Sequence, residues 1–149
     1  MSGLSLAATH RFRLRAEDAV GNWSPWVESI DYGFQTIGDR SSTLTYGGTW
    51  KRAEVASATN TVRTTSTQAG ATVRRVITGR AMALVMPRSR VRGKVTVTVD
   101  GVLAATVDTY FKSTQARRVA WWTTWPTSAS HTVVVRVSGT AGRPTVSLD

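Results

Sequence analysis

The chain has 149 residues, of which 41% are hydrophobic, enough for one globular domain or a small domain with an appendage. It has no cysteine, which excludes disulfides and thiolate metal sites, and no run approaches the roughly 20 apolar residues of a membrane span. Its 19 basic and 9 acidic residues give a formal charge of +10, which favours anionic partners such as nucleic acid, wall polymers, acidic glycans or phospholipid headgroups.

The basic residues are spread along the chain, apart from Arg88, Arg90 and Arg92 in a predicted loop. Two interpretations of the charge stay open: an anion-binding surface, or the arginine-rich composition that G- and C-rich genomes encode. Residues 1–10 lack the basic segment and apolar core of a secretory signal. Export would then depend on an upstream segment or on another system.

The first predicted element is a β-hairpin. Residues 10–16 alternate, with Phe12 and Leu14 on one side and arginines on the other. Gly21 and Asn22 indicate a turn, and residues 26–30 return as a second strand. Because an isolated hairpin is marginal in water, its apolar side is expected to need a covering surface.

A connector at residues 31–42 leads into further short strands separated by turn residues. The Thr- and Ser-rich stretch at residues 56–69 predicts an edge strand, at residues 60–65, and a loop, since threonine suits exposed strand faces. The other strands predicted in this part are residues 43–46, 50–52, 71–78 and 81–86, followed by a basic loop at residues 87–93.

The clearest element is a hairpin around Asp100 and Gly101, because a tight type I′ turn needs positive φ at both central positions. Val95, Val97 and Val99 form one face of its first strand. Together with predicted strands at residues 117–124, 131–138 and 145–148, there are roughly eight or nine strands at a spacing typical of sandwiches. The predicted fold class is all-β, an antiparallel β-sandwich of the jelly-roll kind preceded by a β-hairpin.

Residues 3–30 resemble the last strands of a bacterial fibronectin type III domain. The resemblance implies that the hairpin is a remnant of such a sandwich, although His10 stands where the family usually has tyrosine. The predicted domains are therefore a partial fibronectin hairpin at 1–32, a linker at 33–42 and a jelly roll at 43–149. The matched residues are Gly3, Leu4, residues 10–16, Asp18, Gly21, Asn22, Trp23 and Ser24.

Residues 44–149 resemble the galactose-binding-like jelly-roll modules of actinobacterial secreted and surface proteins. The resemblance implies a non-catalytic role in binding glycans or surfaces. The matched segments are residues 46–50, 93–95, 99–102, 105–108, 131–133 and 139–144.

Catalysis is not predicted. The two histidines, His10 and His131, are far apart, the carboxylates are scattered, and no nucleophile elbow or phosphate-binding loop is present. No metal-ligand spacing and no cofactor motif is found, so no cofactor is expected. Asp39 and Asp149 could hold a structural calcium ion if the terminal strands pair, but unpaired surface carboxylates are the favoured interpretation.

The six tryptophans are the most suggestive candidates for binding, because sugars lay their apolar faces on aromatic rings. Trp121 and Trp122 are adjacent in a strand and must face opposite sides. Ring stacking by Trp122 and Trp125 is predicted, with hydrogen bonds from Tyr110, Arg117 and Lys112. The alternative for all the aromatics is packing in the core.

The leading hypothesis is a non-catalytic module, extracellular or on the cell surface, that binds polysaccharide or cell-wall glycan. The alternative is a self-assembling protein in which the hairpin packs on a neighbouring copy and builds a ring or filament. A third interpretation is a fragment whose hairpin belongs to an upstream domain. Nucleic acid is a weaker partner, since the basic residues do not concentrate around aromatics. The predicted assembly residues are Phe12, Leu14, Trp23 and Trp26.

Overall fold

The computed structural model of the protein describes residues 8–58 and 61–148. The chain divides into two compact units, one up to Ile37 and one from Gly38 onward, so the division falls inside the predicted linker. The described part of the chain has no helix of the length and apolar character that a membrane span requires. The predictions that concern residues 1–7, among them Gly3 and Leu4, residues 59 and 60, and Asp149 lie outside the described residues.

The first unit contains the predicted hairpin. Strands β1 (Arg13–Leu14) and β2 (Val27–Glu28) pair antiparallel. Isolated bridges continue the ladder on both sides, from His10 to Tyr32 and from Glu17 to Trp23.

The second unit is an antiparallel sandwich of two sheets, which confirms the predicted all-β fold class. The five-stranded sheet has the order β3-β6-β9-β7-β8, and the three-stranded sheet has the order β10-β5-β4. The strands are β3 (Thr45–Gly47), β4 (Lys51–Glu54), β5 (Val62–Ser66), β6 (Thr72–Arg88), β7 (Lys94–Val99), β8 (Val102–Asp108), β9 (Gln115–Val137) and β10 (Val146–Leu148).

One core lies between these sheets. Val95 and Val97 of β7 are fully buried, and Met86 of β6 and Val146 of β10 are equally inaccessible. Alternation explains the pattern, because every second residue of a strand faces the same side. Each such side chain contributes about 1.5–3 kcal/mol by leaving water.

The turn between β7 and β8 confirms the predicted hairpin. Asp100 has φ 52° and Gly101 has φ 83°, the left-handed pair that a type I′ turn requires. The register runs from Val99 opposite Val102 to Lys94 opposite Asp108. Local turn chemistry is therefore sufficient to predict this element.

Two predicted strand breaks are wrong. The segments placed on either side of Gly79 form the single strand β6, and residues 117–124 and 131–138 belong to the single strand β9. The irregularity is a bulge: Gly79 pairs with Ala129 and Ala81 pairs with Thr124. Residues 125–128 of β9 therefore stand opposite a single residue of β6, Arg80. A bulge of this kind bends a pair of strands without ending it.

The predicted edge strand is also placed differently. β5 lies between β4 and β10, so it is the central strand of its sheet. Thr64 and, on β10, Ser147 are almost fully buried, and the hydroxyl of Ser147 lies 2.6 Å from that of Thr65. Hydroxyl side chains that hydrogen-bond to one another can occupy a buried position that their polarity alone would not predict.

Candidate functional site

Trp121 and Trp122 face opposite sides of β9, as their adjacency predicts. Trp121 lies opposite Leu84 of β6 and packs against the core, whereas Trp122 is 66% exposed. The single-residue offset therefore separates a structural ring from a ring that is open to solvent.

The surroundings of Trp122 are small and apolar. Ala83 of β6 is paired directly with it, and Ala81 with Thr124, one position further along the same face. A register shift puts both Ala120 and Trp121 against the core, so the next outward residue of β9 is Val119, which is 54% exposed. We call this face the Trp122 surface; its residues are Ala81, Ala83, Val119, Trp122 and Thr124.

Trp125 follows the predicted strand at residues 117–124, and the structure places it in the bulge of β9. Its ring is stacked on the imidazole of His131, with centroids 4.0 Å apart and planes 11° apart. His131 Nδ1 is in turn 2.7 Å from Asp100 Oδ2. One face of the Trp125 ring is thus covered, and only the rest of the ring can contact a ligand.

Tyr110 is 48% exposed at the end of β8. The guanidinium of Arg143 lies over its ring, 4.9 Å from the centroid, and donates to Asp108 at 3.0 and 3.2 Å. The hydrogen bonds from Arg143 lower the pKa of Asp108, so this carboxylate stays ionised and holds the arginine over the tyrosine. The phenol keeps its hydroxyl available at the surface.

Lys112 and Arg117 are both exposed. The backbone carbonyl of Lys112 accepts a hydrogen bond from Arg90 Nε at 2.7 Å, which leaves the ammonium group unaffected. Arg117 has φ 49°, at the register shift between the Met86 and Arg88 pairings. This shift directs its side chain out of the regular alternation.

The five predicted binding residues do not form one pocket. Arg117 and Trp125 are eight residues apart on β9, which places them up to about 26 Å from each other, with Trp122 between them. Trp125 stacks on His131, which lies on the same side of β9 as the buried Val133, so Trp125 and Trp122 face opposite sides of the strand. A ligand that contacts both Trp122 and Arg117 must extend along β9.

The four predicted assembly residues are exposed, but they lie on two faces of the hairpin. Arg15 lies over Trp23 at 4.0 Å and over Trp26 at 4.7 Å, so both indoles share the arginine side. Leu14, which pairs with Val27, is 74% exposed on the other side, where Phe12 is 52% exposed. Cation–π stacking therefore covers the tryptophans in part, and the aliphatic side is the open one.

One aromatic cluster was not predicted as a site. Tyr46 and Trp50 contact edge to face, with centroids 5.3 Å apart, and with Arg52 and Thr64 they line a depression of about 410 Å³. The Tyr46 hydroxyl donates to the Asp39 carbonyl at 2.5 Å, and burial raises the pKa of Tyr46. Trp50 Nε1 donates to the Gly47 carbonyl at 3.1 Å. Because both polar tips bond to the backbone, these rings serve the packing of the turn.

The calcium pair suggested by the sequence is not complete in the described residues. Asp39 is 3% exposed, and Asp149 lies outside them. Within residues 8–58 and 61–148, no group of three or more histidines and carboxylates is placed to hold a metal ion.

No protein-family model matches the sequence, and no curated protein matches it. Among solved structures, a xanthan lyase from Paenibacillus is similar over 70% of this chain, with a TM-score of 0.53 and 10% identity. The Agl-KA catalytic domain is similar over 73%, with a TM-score of 0.47 and 16% identity. This chain covers 11% of the xanthan lyase and 26% of the Agl-KA chain. At these identities the likeness is one of fold.

Proposed function

We propose that this chain is a non-catalytic module that binds polysaccharide through the Trp122 surface. The observation that carries the proposal is the 66% exposure of the Trp122 ring beside two alanines. A large exposed ring together with exposed apolar neighbours such as Val119 is typical of an interaction surface. Small neighbours leave the ring face accessible to the flat apolar side of a sugar.

The linear order of the other candidates supports a chain-like ligand. Trp122 and Arg117 follow one another along β9, and Tyr110 and Lys112 follow β8, whereas Trp125 is stacked on His131 on the other side of β9. A polysaccharide lying along the ribbon would stack on Trp122 and receive hydrogen bonds from Arg117 and Tyr110. Its place of action would be extracellular or at the cell surface, where such polymers are found.

The similarity in fold to a xanthan lyase and the contacts of the titratable side chains both support this proposal. The structure similar over 70% of the chain is named for its action on xanthan. On the catalytic side, the Nε2 of His131 is buried and cannot reach a substrate, and Asp108 is engaged by Arg143. Binding without turnover is therefore the function that these contacts favour.

The test compares Trp122→Ala with the wild type against a panel of insoluble and soluble glycans, including xanthan and cell-wall preparations. Loss of one stacked ring is expected to weaken binding about tenfold, and Trp122→Phe should restore part of it. Val102→Ala is the matched control, since Val102 is 71% exposed in the turn of β7 and β8. Unchanged binding by Trp122→Ala would overturn the proposal.

We infer a second candidate function, self-assembly, from the aliphatic side of the hairpin. Leu14 and Val27 are 74% and 68% exposed and lie opposite one another, with Phe12 nearby. A second copy of this chain could cover them and extend the assembly head to tail. Light scattering should then show higher-order oligomers of the wild type. Leu14→Glu should dissociate them, whereas Val20→Glu at the turn should leave them intact. A monomer at all concentrations would remove this function.

A further inference from the structure

The side of the three-stranded sheet that faces away from the core carries a row of polar groups. Ser147 lies between Val146 and Leu148, both of which belong to the core, so its hydroxyl points to the other side, where it is covered and the residue is 1% exposed. Register pairs Ser147 with Thr65 and Thr65 with Lys51. Directly paired residues share a face, so Lys51, Thr65 and Ser147 form one row across the three strands.

Arg92 closes one end of this row. Its Nη1 donates to the hydroxyl of Ser147, and its backbone is bridged to Thr145 just before β10. The side chain of Arg143 donates to the carbonyl of Arg92 at 2.9 Å, which fixes the loop from the other side. The guanidinium is therefore held in place, and it is only partly exposed.

The positive charge of Arg92 is not balanced within the described residues. Its Nε is buried and has no hydrogen-bond partner there, and none of the ion pairs of residues 8–58 and 61–148 involves it. Burial, and then the charge of Arg63, lower the pKa of Arg92. The guanidinium groups of Arg63 and Arg92 thus lie near each other, and that of Arg92 lacks an opposite charge within the described residues.

Arg63 shares the face of Thr65, two residues away on β5, and is 8% exposed. It makes a further interaction of its own, and the Nε of Arg92 is buried, so an external anion can meet Arg92 only at the part of its guanidinium that remains exposed. Burying a guanidinium without an opposite charge is costly, and an anion beside it offsets that cost. The planar guanidinium matches a carboxylate in particular.

A hollow of about 130 Å³ continues the row, and its lining is rich in hydroxyls. Lys51 supplies a cation, and three of the polar groups are used internally: Gln68 Oε1 accepts from the Thr49 amide, the Ser66 hydroxyl donates to the Thr49 carbonyl, and the Thr65 hydroxyl is hydrogen-bonded to that of Ser147. Hydroxyl and ammonium groups remain to meet a sugar. The residues that line it are Thr49, Lys51, Thr65, Ser66, Thr67 and Gln68.

We propose that this face is a second binding site, in which Arg92 pairs with the carboxylate of a uronic acid while Lys51 and the threonine hydroxyls contact the sugar. The ligand class is an acidic polysaccharide. The site lies on the three-stranded sheet and does not depend on the Trp122 surface of the five-stranded sheet. Charge together with a hydroxyl-rich lining favours a uronic acid over a nucleic acid, which would need stacking rings.

The experiment measures binding of the whole chain to polygalacturonate by calorimetry, with the fully methyl-esterified polymer as the uncharged control. Arg92→Gln should weaken binding about tenfold, because it removes a charge-assisted hydrogen bond. Lys51→Gln should weaken binding by a smaller factor. Arg74→Gln removes the same charge from an exposed position on β6 and should bind as the wild type does.

Three results would overturn the proposal. One is equal binding of the methyl-esterified polymer, and another is an equal loss in Arg74→Gln, which would indicate general charge attraction. The third is displacement of the polymer by an equal concentration of inorganic phosphate, which would indicate a small-anion site. If thermal melting shows that Arg92→Gln is unfolded, the test rests on Lys51→Gln at an exposed position, and wild-type binding by Lys51→Gln would then overturn the proposal. Trp122→Ala should retain polygalacturonate binding, so failure of the first proposal is distinguishable from failure of this one.

Discussion

Asp100, in the turn of β7 and β8, is joined to His131 of β9, with Oδ2 of the aspartate 2.7 Å from Nδ1 of the imidazole. A carboxylate only accepts, so Nδ1 carries the hydrogen. Asp100 Oδ1 accepts from the Thr132 amide, also at 2.7 Å. The turn, the kinked strand β9 and the stacked Trp125 ring are thereby connected through one carboxylate.

This contact predicts a pH dependence of stability. The hydrogen bond from His131 is the largest of the causes that lower the pKa of Asp100. A lowered folded-state pKa contributes stability that is present above the unfolded value of about 3.9 and is lost as the pH falls through the folded-state value. Asp100→Asn, which keeps an oxygen for Thr132 and suits positive φ, should be less stable than the wild type near neutrality. The difference should shrink below about pH 4 in urea titrations, and a constant difference would contradict this.

Met86 tests the core. Its side chain is fully buried, so Met86→Ala should lower the free energy of unfolding by about 2–5 kcal/mol through lost transfer energy and the cavity left behind. Val102→Ala at an exposed position should change it by less than about 0.5 kcal/mol. Chemical denaturation measures both, and similar values for the two variants would contradict the placement of the core.

Gly93 tests a close approach of two backbones. A Cβ built there would lie 2.2 Å from the Arg143 carbonyl oxygen, so Gly93→Ala must displace the segment that precedes β10. The Gly93 amide also donates to the Thr145 carbonyl at 2.9 Å. The melting temperature of Gly93→Ala should therefore be clearly lower than that of the wild type. Gly79→Ala is the control, since its Cβ would meet only an ordinary contact at 3.8 Å; an equal loss in both would count against the close approach.

The tryptophan pair predicts opposite consequences for stability and binding. Trp121→Ala should cost up to about 3–5 kcal/mol because its ring packs on the core. Trp122→Ala should cost about 0.5 kcal/mol or less because its ring is in water. Denaturation midpoints compared with glycan affinities check this, and a Trp122→Ala variant that unfolds like Trp121→Ala would contradict the assignment of faces.

Sequence reasoning succeeded where the signal is local. Positive φ at Asp100 and Gly101 follows from the turn chemistry of two adjacent residues, and the opposite facing of Trp121 and Trp122 follows from strand geometry. The break predicted at Gly79 was wrong because a bulge absorbs the irregularity through residues of β9 that are distant in sequence.

The non-local contacts could not be predicted from spacing. Arg63 and Arg92 are 29 residues apart in sequence, and only the pairing of β5 with β10 and the bridge from Arg92 to Thr145 bring them to one face. The stack of Trp125 on His131 likewise depends on the bend of β9. Periodicity assigns a side chain to a side of its strand, and sheet order determines which strand it meets there.

The opposite orientation of two neighbouring indoles has a spectroscopic consequence. An aqueous collisional quencher such as iodide can reach the Trp122 ring, while the core shields much of Trp121. The fluorescence that iodide removes from the wild type and not from Trp122→Ala therefore belongs to the outward ring. Protection of that fraction by a bound polymer would report occupancy of this one position without any added label.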